Sequence, residues 1–158
     1  FPYTTLFRSK RGRCIDTIQG DLLFAIAMEP AVIFMEYGKN DILRLQRAPQ
    51  SFITCYRSQI AFLKNALPDT AIYINSIIPV RSDIMERNGG ERLYRLYNEA
   101  LQRMCEDLQL GFIDNSTLMK WRDELYEYDG IHPKYPYYPL WLRHMARCAG
   151  LLKDLIET

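Results

Sequence analysis

Residues 31–41 read Ala31-Val32-Ile33-Phe34-Met35-Glu36-Tyr37-Gly38-Lys39-Asn40-Asp41. The first five are continuously apolar and partly β-branched, the pattern of a strand covered on both faces. Gly38 lets the chain turn sharply where the strand ends. Asn40 then stands at the carboxyl edge, where its amide can donate to a developing oxyanion. Asp41 can tie the loop down through backbone NH groups. Taken alone the segment also reads as a plain turn, since Gly and Asn are common there.

Working outward, Ile18, Leu22, Ala25 and Ile26 fall on one helical face before Pro30, with Asp16 or Thr17 as the expected N-cap. A second helix is expected over 49–66, where Phe52, Tyr56, Ile60, Leu63 and Leu67 keep helical spacing and Pro49 suits the first turn. Pro68-Asp69 makes a turn into a second buried strand over 71–78, closed by Pro79. Gly89-Gly90 breaks the chain. Leu93, Leu96, Ala100, Leu101, Met104 and Leu108 define a third amphipathic helix. A short strand over 110–113, a rigid aromatic loop over 135–139 and a helix carrying Trp141, Met145, Cys148, Leu152 and Leu155 complete the pass. Strands alternating with helices of this length predict a parallel sheet with helices on both faces, an α/β fold. Functional residues are then expected just after the strands.

A length of 158 residues fits one domain. The hydrophobic fraction is 48%, the aromatic fraction 13% and the net charge +1, which excludes a disordered chain and a general polyanion binder. No apolar run approaches bilayer length. Cys14, Cys55, Cys105 and Cys148 are widely spaced with no CxxC pair, which argues against zinc. Reduced, mostly buried thiols are expected; two disulfides in an exported protein are the alternative. No targeting signal is visible, and a cytoplasmic location is favoured. Lys10-Arg11-Gly12-Arg13 reads as a solvated strand start or, alternatively, a phosphate-binding patch.

Phe1 to Ser9 reads FPYTTLFRS, without an initiator Met, and resembles the translation of a common short-read sequencing adapter. Residues 1–9 are therefore expected to be a non-native scar, and 10–158 a single, N-terminally truncated domain.

A second informative segment is Tyr128-Asp129-Gly130-Ile131-His132-Pro133. The chain has two histidines. His144 lies inside a helical pattern and reads as structural. His132 lies in a loop, three residues after an acid and before a stiffening Pro. Such a pair can act as general base and orienting carboxylate. A surface ion pair is the plainer reading; a metal pair lacks a third clustered ligand.

Together, G-x-N-D after a buried strand and D-G-x-H-P before a final helix resemble the SGNH-hydrolase superfamily of GDSL-type esterases and lipases. The likeness runs from about Arg11 to the C-terminal helix, and Leu67-Pro68-Asp69-Thr70 with the strand and Pro79-Val80 after it is similar to that family's fourth strand. The resemblance implies a flavodoxin-like three-layer α/β/α sandwich. It implies that Asn40 donates to the oxyanion and that Asp129 and His132 complete a catalytic triad. It implies no metal and no cofactor, and a small acyl-ester substrate carrying acetyl or short-chain groups on carbohydrate or lipid; the balanced charge argues against a nucleic-acid partner.

Two departures stand out. The family's nucleophilic Ser lies in a G-D-S block that this chain does not contain. Ser9, Ser51, Ser58, Ser76, Ser82 and Ser116 all lie in other contexts. The block is expected one strand–helix unit before Cys14, so this chain is expected to be inactive. Second, where the family often reads G-x-x-G-D-T, Gly12-Arg13-Cys14-Ile15-Asp16-Thr17 has Ile15 at the second Gly. A non-catalytic ligand-binding module on the same fold is the competing reading. For the sheet, the resemblance implies a second strand near 13–15 and a third over 31–35. A four-stranded remnant is expected, with an apolar edge at Val32 and Phe34, poorly stable and prone to aggregate.

Overall fold

A computed structural model describes residues 12–88 and 90–152. Three parallel strands form the sheet among these residues: β1 (Val32–Met35), β2 (Ala71–Asn75) and β3 (Gly111–Ile113), in the order β1-β2-β3. The principal helices are α1 (Gln19–Met28), α3 (Pro49–Ala66), α5 (Gly90–Leu108) and α6 (Tyr137–Cys148), with short α2 (Lys39–Leu43) and α4 (Ser82–Met85) between them. The alternation of strand and helix is the one the apolar pattern predicts.

Side-chain alternation along the strands separates two layers of helix. Ile33, Met35, Ile72 and Ile74 point into one core with Leu22 of α1, Phe52, Tyr56, Ile60 and Leu63 of α3, and Tyr97, Leu101 and Met104 of α5. Burying each of the larger apolar side chains there stabilises the fold by roughly 1.5–3 kcal/mol. On the other face Asn75 Nδ2 lies 3.0 Å from Met145 Sδ of α6. A second, smaller cluster gathers Ile78, Met119, Leu125, Tyr126 and Tyr137 beneath α6. The result is a three-layer α/β/α arrangement.

Register is fixed at the amino ends of the strands. Ala71 N donates to Ala31 O at 3.0 Å and Thr70 Oγ1 to Pro30 O at 2.7 Å, setting Val32 opposite Ala71. On the α6 side Phe34 stacks on Tyr73 at 5.4 Å, and the Tyr73 ring lies so close to Gly111 that a Cβ there would meet Cδ1 at 2.2 Å. Gly111 admits that ring.

Several expectations change. No strand forms at 13–15, so the sheet has three strands among the described residues rather than four. Arg13 O accepts from Asn40, Ile15 N donates to Asp41, and Cys14 and Thr17 bond each other reciprocally. With its polar groups taken by side chains, this segment has no ladder to join and curls into a 3-10 turn, Ile15–Thr17. Thr17 serves that turn, so neither it nor Asp16 caps α1, whose N-cap is Ile18. β2 stops at Asn75, although Ser76 N still donates to Ile113 O at 2.8 Å. The last helix begins at Tyr137, inside the stretch expected to be a rigid loop. All four cysteines are free; Cys14 and Cys105 are buried, and Cys148 is exposed. Arg13 of the basic cluster pairs with Asp21 at 3.4 Å. The adapter-like stretch 1–9, with Lys10, Arg11 and Leu155, lies outside the described residues. No helix among the described residues is long and apolar enough to cross a membrane.

β1 stands at one end of the sheet order. Because Ala31 O bonds Ala71, the backbone groups of Ile33 and Met35 also point toward β2, and those of Val32 and Phe34 point the other way. Val32, Ile33 and Phe34 are only half-buried. In hydrogen exchange, the amides of Val32 and Phe34 are expected to exchange faster than those of Ile33 and Met35; equal, strong protection of all four would show a paired outer edge. At the strand exit, Gly38 has φ +128, and a Cβ there would meet Ile77 Cδ1 at 2.3 Å. Gly38→Ala is expected to cost about 2 kcal/mol in urea denaturation.

Candidate active site

The loop after β1 is organised by a buried acid. Asp41 is fully buried; its Oδ2 accepts from Ile15 N at 3.2 Å and its Oδ1 lies 3.3 Å from Arg47 Nε. Burial raises its pKa, while the Ile15 NH and the Arg47 guanidinium oppose the rise. Arg47 reaches on to Asp16 at 2.5 Å. These contacts press the turn at 12–17 against the G-x-N-D loop. Asn40 Nδ2 donates to Arg13 O at 2.9 Å. The Ile15 NH is taken up by Asp41, so Gly12 and Arg13, which line the adjoining trough, present the nearest backbone of that block.

The second loop is built on Asp129. Its Oδ1 accepts from Ile131 N at 2.8 Å and His132 N at 3.0 Å, a local turn that Asp side chains favour. Its Oδ2 lies 2.5 Å from His132 Nδ1. Glu127 N donates to His132 O at 2.7 Å, a bridge pairs Tyr126 with Pro133, and Arg81 N donates to Gly130 O at 2.8 Å. Partial burial alone would raise the Asp129 pKa. The two NH groups and the His132 ring outweigh it and hold the carboxyl at about 2. Both side chains remain accessible, His132 at 57% and Asp129 at 46%. With Nδ1 committed to Asp129, Nε2 is the nitrogen left for chemistry.

Asn40 and His132, far apart in sequence, line the same trough of about 880 Å³. It runs from the edge of β1 past the carboxyl ends of β1 and β2 to α6. Asp129 stands behind His132. Lys39 joins the two loops: its Nζ donates to Ile131 O at 3.1 Å, between Asp129 and His132. Glu36 shares the space. Desolvation pushes the Glu36 carboxyl up, opposed by Lys39 and by a hydrogen bond from Trp141; desolvation also pushes the Lys39 ammonium down. Sequence reasoning did not single out Glu36 and Lys39. The available signal was two opposite charges three residues apart immediately after a buried strand.

Tyr137, Tyr138 and Trp141 of α6 supply an aromatic wall to the trough. Among the described residues no Ser, Thr or Cys lines it. Ser76, the serine nearest a strand end, is buried, bonding Asp114 Oδ1 at 3.1 Å and accepting from Asn115 N at 2.7 Å. His144 lies on α6 with Nε2 at 3.1 Å from Asp114 O, a structural contact. Among the described residues no group of three or more His, Cys, Asp or Glu side chains gathers as a metal site.

The sequence profile of the GDSL-like Lipase/Acylhydrolase family matches residues 2–136. No curated protein matches the chain. Among solved structures, a carbohydrate esterase family 3 protein from Talaromyces cellulolyticus is similar with a TM-score of 0.72 at 18% identity, over 90% of this chain and 70% of that one. A catalytic mutant of an acetylxylan esterase from Geobacillus stearothermophilus is similar with a TM-score of 0.69 at 17% identity, over 88% of this chain and 68% of that one. At these identities the likeness is one of fold. The family match spans most of the sequence, including both loops that build the site. The chain belongs to the GDSL-like lipase/acylhydrolase family, a family of ester hydrolases.

Proposed function

We propose that this chain carries the acid–base and oxyanion-binding half of a serine ester hydrolase, and that the nucleophilic Ser lies outside it. The observation that carries the reading is the Asp129–His132 pair at 2.5 Å, held at the sheet's carboxyl edge on the trough that Asn40 also lines. Among the described residues no Ser, Thr or Cys lines the trough, which supports a nucleophile supplied from elsewhere.

The chemistry follows from the two ring nitrogens. Asp129 accepts from Nδ1–H and fixes the tautomer, leaving Nε2 basic. A serine hydroxyl reaching Nε2 loses its proton there as its oxygen attacks the acyl carbon. The protonated ring is stabilised by the ionised Asp129 and returns the proton to the leaving alcohol. The Asn40 amide, with one NH on Arg13 O and one remaining, meets the oxyanion together with backbone NH groups. Water then resolves the acyl-enzyme by the same route in reverse.

The proposed substrate is a small acyl ester, most specifically an acetylated carbohydrate. The aromatic wall of Tyr137, Tyr138 and Trp141 can stack on sugar rings, and similar solved structures include an acetylxylan esterase and a carbohydrate esterase. The competing reading, a binding module that never turns over, predicts that adding a nucleophile restores nothing.

Three measurements separate these. The chain itself is expected to hydrolyse p-nitrophenyl acetate at no more than the residual rate left when a triad member is removed, about 10³–10⁴-fold over water; a burst with a covalent acyl-enzyme would place the nucleophile on one of the serines set aside. Extending the chain upstream with a strand that ends in Gly-Asp-Ser, followed by its crossover helix, is expected to release acetate from acetylated xylooligosaccharides, and His132→Ala to abolish it. A folded but inert extended protein would favour the binding module. For pH, the carboxyl of Asp129 is lower in the folded state than its ordinary value near 3.8, so its stabilisation is present above about pH 4 and lost as pH falls toward 2. Asp129→Asn is expected to remove that part of the acid dependence in denaturation curves; an unchanged acid limb would show that the pair is not formed in solution.

A further inference from the structure

The outer side of α6, facing away from the trough, carries a second concavity of about 310 Å³. Arg143 and Arg147 project into it from successive turns of α6, and Arg122 from the turn before the 3-10 helix Asp123–Leu125. Leu118 and Leu140 give it an apolar floor, and Thr117 and His144 add polar groups. Among the described residues no carboxylate side chain lines it. Among the described residues, no ion pair reaches any of the three guanidiniums, whereas Arg13, Arg47, Arg57, Arg81 and Arg95 are each matched to an Asp or Glu. The chain has 20 basic and 19 acidic residues, so acids are not scarce. Arg143 and Arg147, four apart on one helix, repel each other. Three like charges around one hollow call for an anion.

We propose that this hollow binds a phosphate or sulfate ester group through Arg122, Arg143 and Arg147. One guanidinium fork satisfies a planar carboxylate. Three forks arriving from a helix and a separate turn match a group with three terminal oxygens. The leucine floor suits the carbon skeleton that carries the ester, and the volume admits a ligand of monosaccharide or glycerol size. Next to Arg122 in sequence, Trp121 is 89% exposed with a left-handed φ of 60, and Lys120 Nζ lies 5.6 Å from its ring centroid. An exposed indole flanked by cations fits a headgroup at a lipid surface as well as a soluble phosphate ester. The site shares no residue with the trough, so its failure would leave the esterase reading intact.

The test is titration of the full chain with inorganic phosphate, inorganic sulfate and glycerol 3-phosphate at constant ionic strength, followed by Trp fluorescence and calorimetry. Saturable one-to-one binding is expected, weakened about tenfold by Arg143→Gln or Arg147→Gln, since each removes a charge-assisted bond, and unchanged by Arg57→Gln. Vesicles of phosphatidylcholine with and without phosphatidic acid identify the source: binding that needs phosphatidic acid and blue-shifts Trp121 assigns a headgroup, and equal affinity for free glycerol 3-phosphate assigns a soluble ester. In the unsubstituted protein, phosphate is also expected to slow phenylglyoxal modification of Arg122, Arg143 and Arg147 selectively, read by mass spectrometry. Absence of saturable binding to every probe, equal weakening by Arg57→Gln, or unselective protection would overturn the proposal.

Discussion

The Asp41 carboxylate, buried and without direct access to water, is the constraint on which the carboxyl edge of this protein depends. One side of it takes the backbone NH of Ile15, and the other faces Arg47. Arg47 in turn reaches Asp16 and Cys55, and its carbonyl accepts from Tyr97 of α5. A single buried carboxyl group thus ties the turn at 12–17, the G-x-N-D loop, the entrance to α3 and the middle of α5. Removing one partner of such a buried pair leaves a charge without compensation and typically costs about 3–5 kcal/mol. Asn40 owes its position to this anchor, because its own amide bonds the carbonyl of Arg13 in the turn that Asp41 holds.

The two loops of the candidate site are held by different means. The loop at 37–41 is a short extension of the sheet, set by a buried charge and by a glycine where Ile77 and Phe52 leave no room for a side chain. The loop at 129–132 is more exposed, and its order is local: one carboxylate accepts two backbone NH groups and grips the ring of its own histidine. Lys39 is the brace between them. Its ammonium sits near Glu36 and Asp129 and gives its hydrogen bond to the peptide between Asp129 and His132. Spacing between the loop of Asn40 and the loop of His132 is therefore set through one side chain, that of Lys39.

The elements most legible in the sequence were those with strong periodicity or an uninterrupted apolar run. The 49–66 helix is observed with those bounds because its Phe52, Tyr56, Ile60 and Leu63 stripe is buried throughout. β1 is visible in Val32-Ile33-Phe34-Met35, and the Asp129–His132 contact in the three-residue spacing of a loop acid and base. The segment at 13–15 was misread as a strand because its fate is decided by Asn40 and Asp41, side chains about 26 residues away. No local pattern reports that competition. The start of α6 at Tyr137 was obscured by Pro136 and Pro139, which both suit a first turn as well as a loop.

The sheet ladder also has a temporal meaning. Among the described residues every strand pairing is parallel and joins segments about 40 residues apart, with a long helix, α3 or α5, in between. No two-residue hairpin lets any of these three strands meet early. The entropy of closing each crossover must be met before the first ladder bond returns anything, which slows folding relative to the helical content. α3 and α5, which pack directly on each other through Phe52 and Tyr97 at 5.0 Å, can meet before the strands do. They offer a surface on which Ile33, Ile72 and Ile74 can condense. On that ordering the edge that carries Asn40 and His132 is the last part to form, since the two converge only after both crossovers have closed.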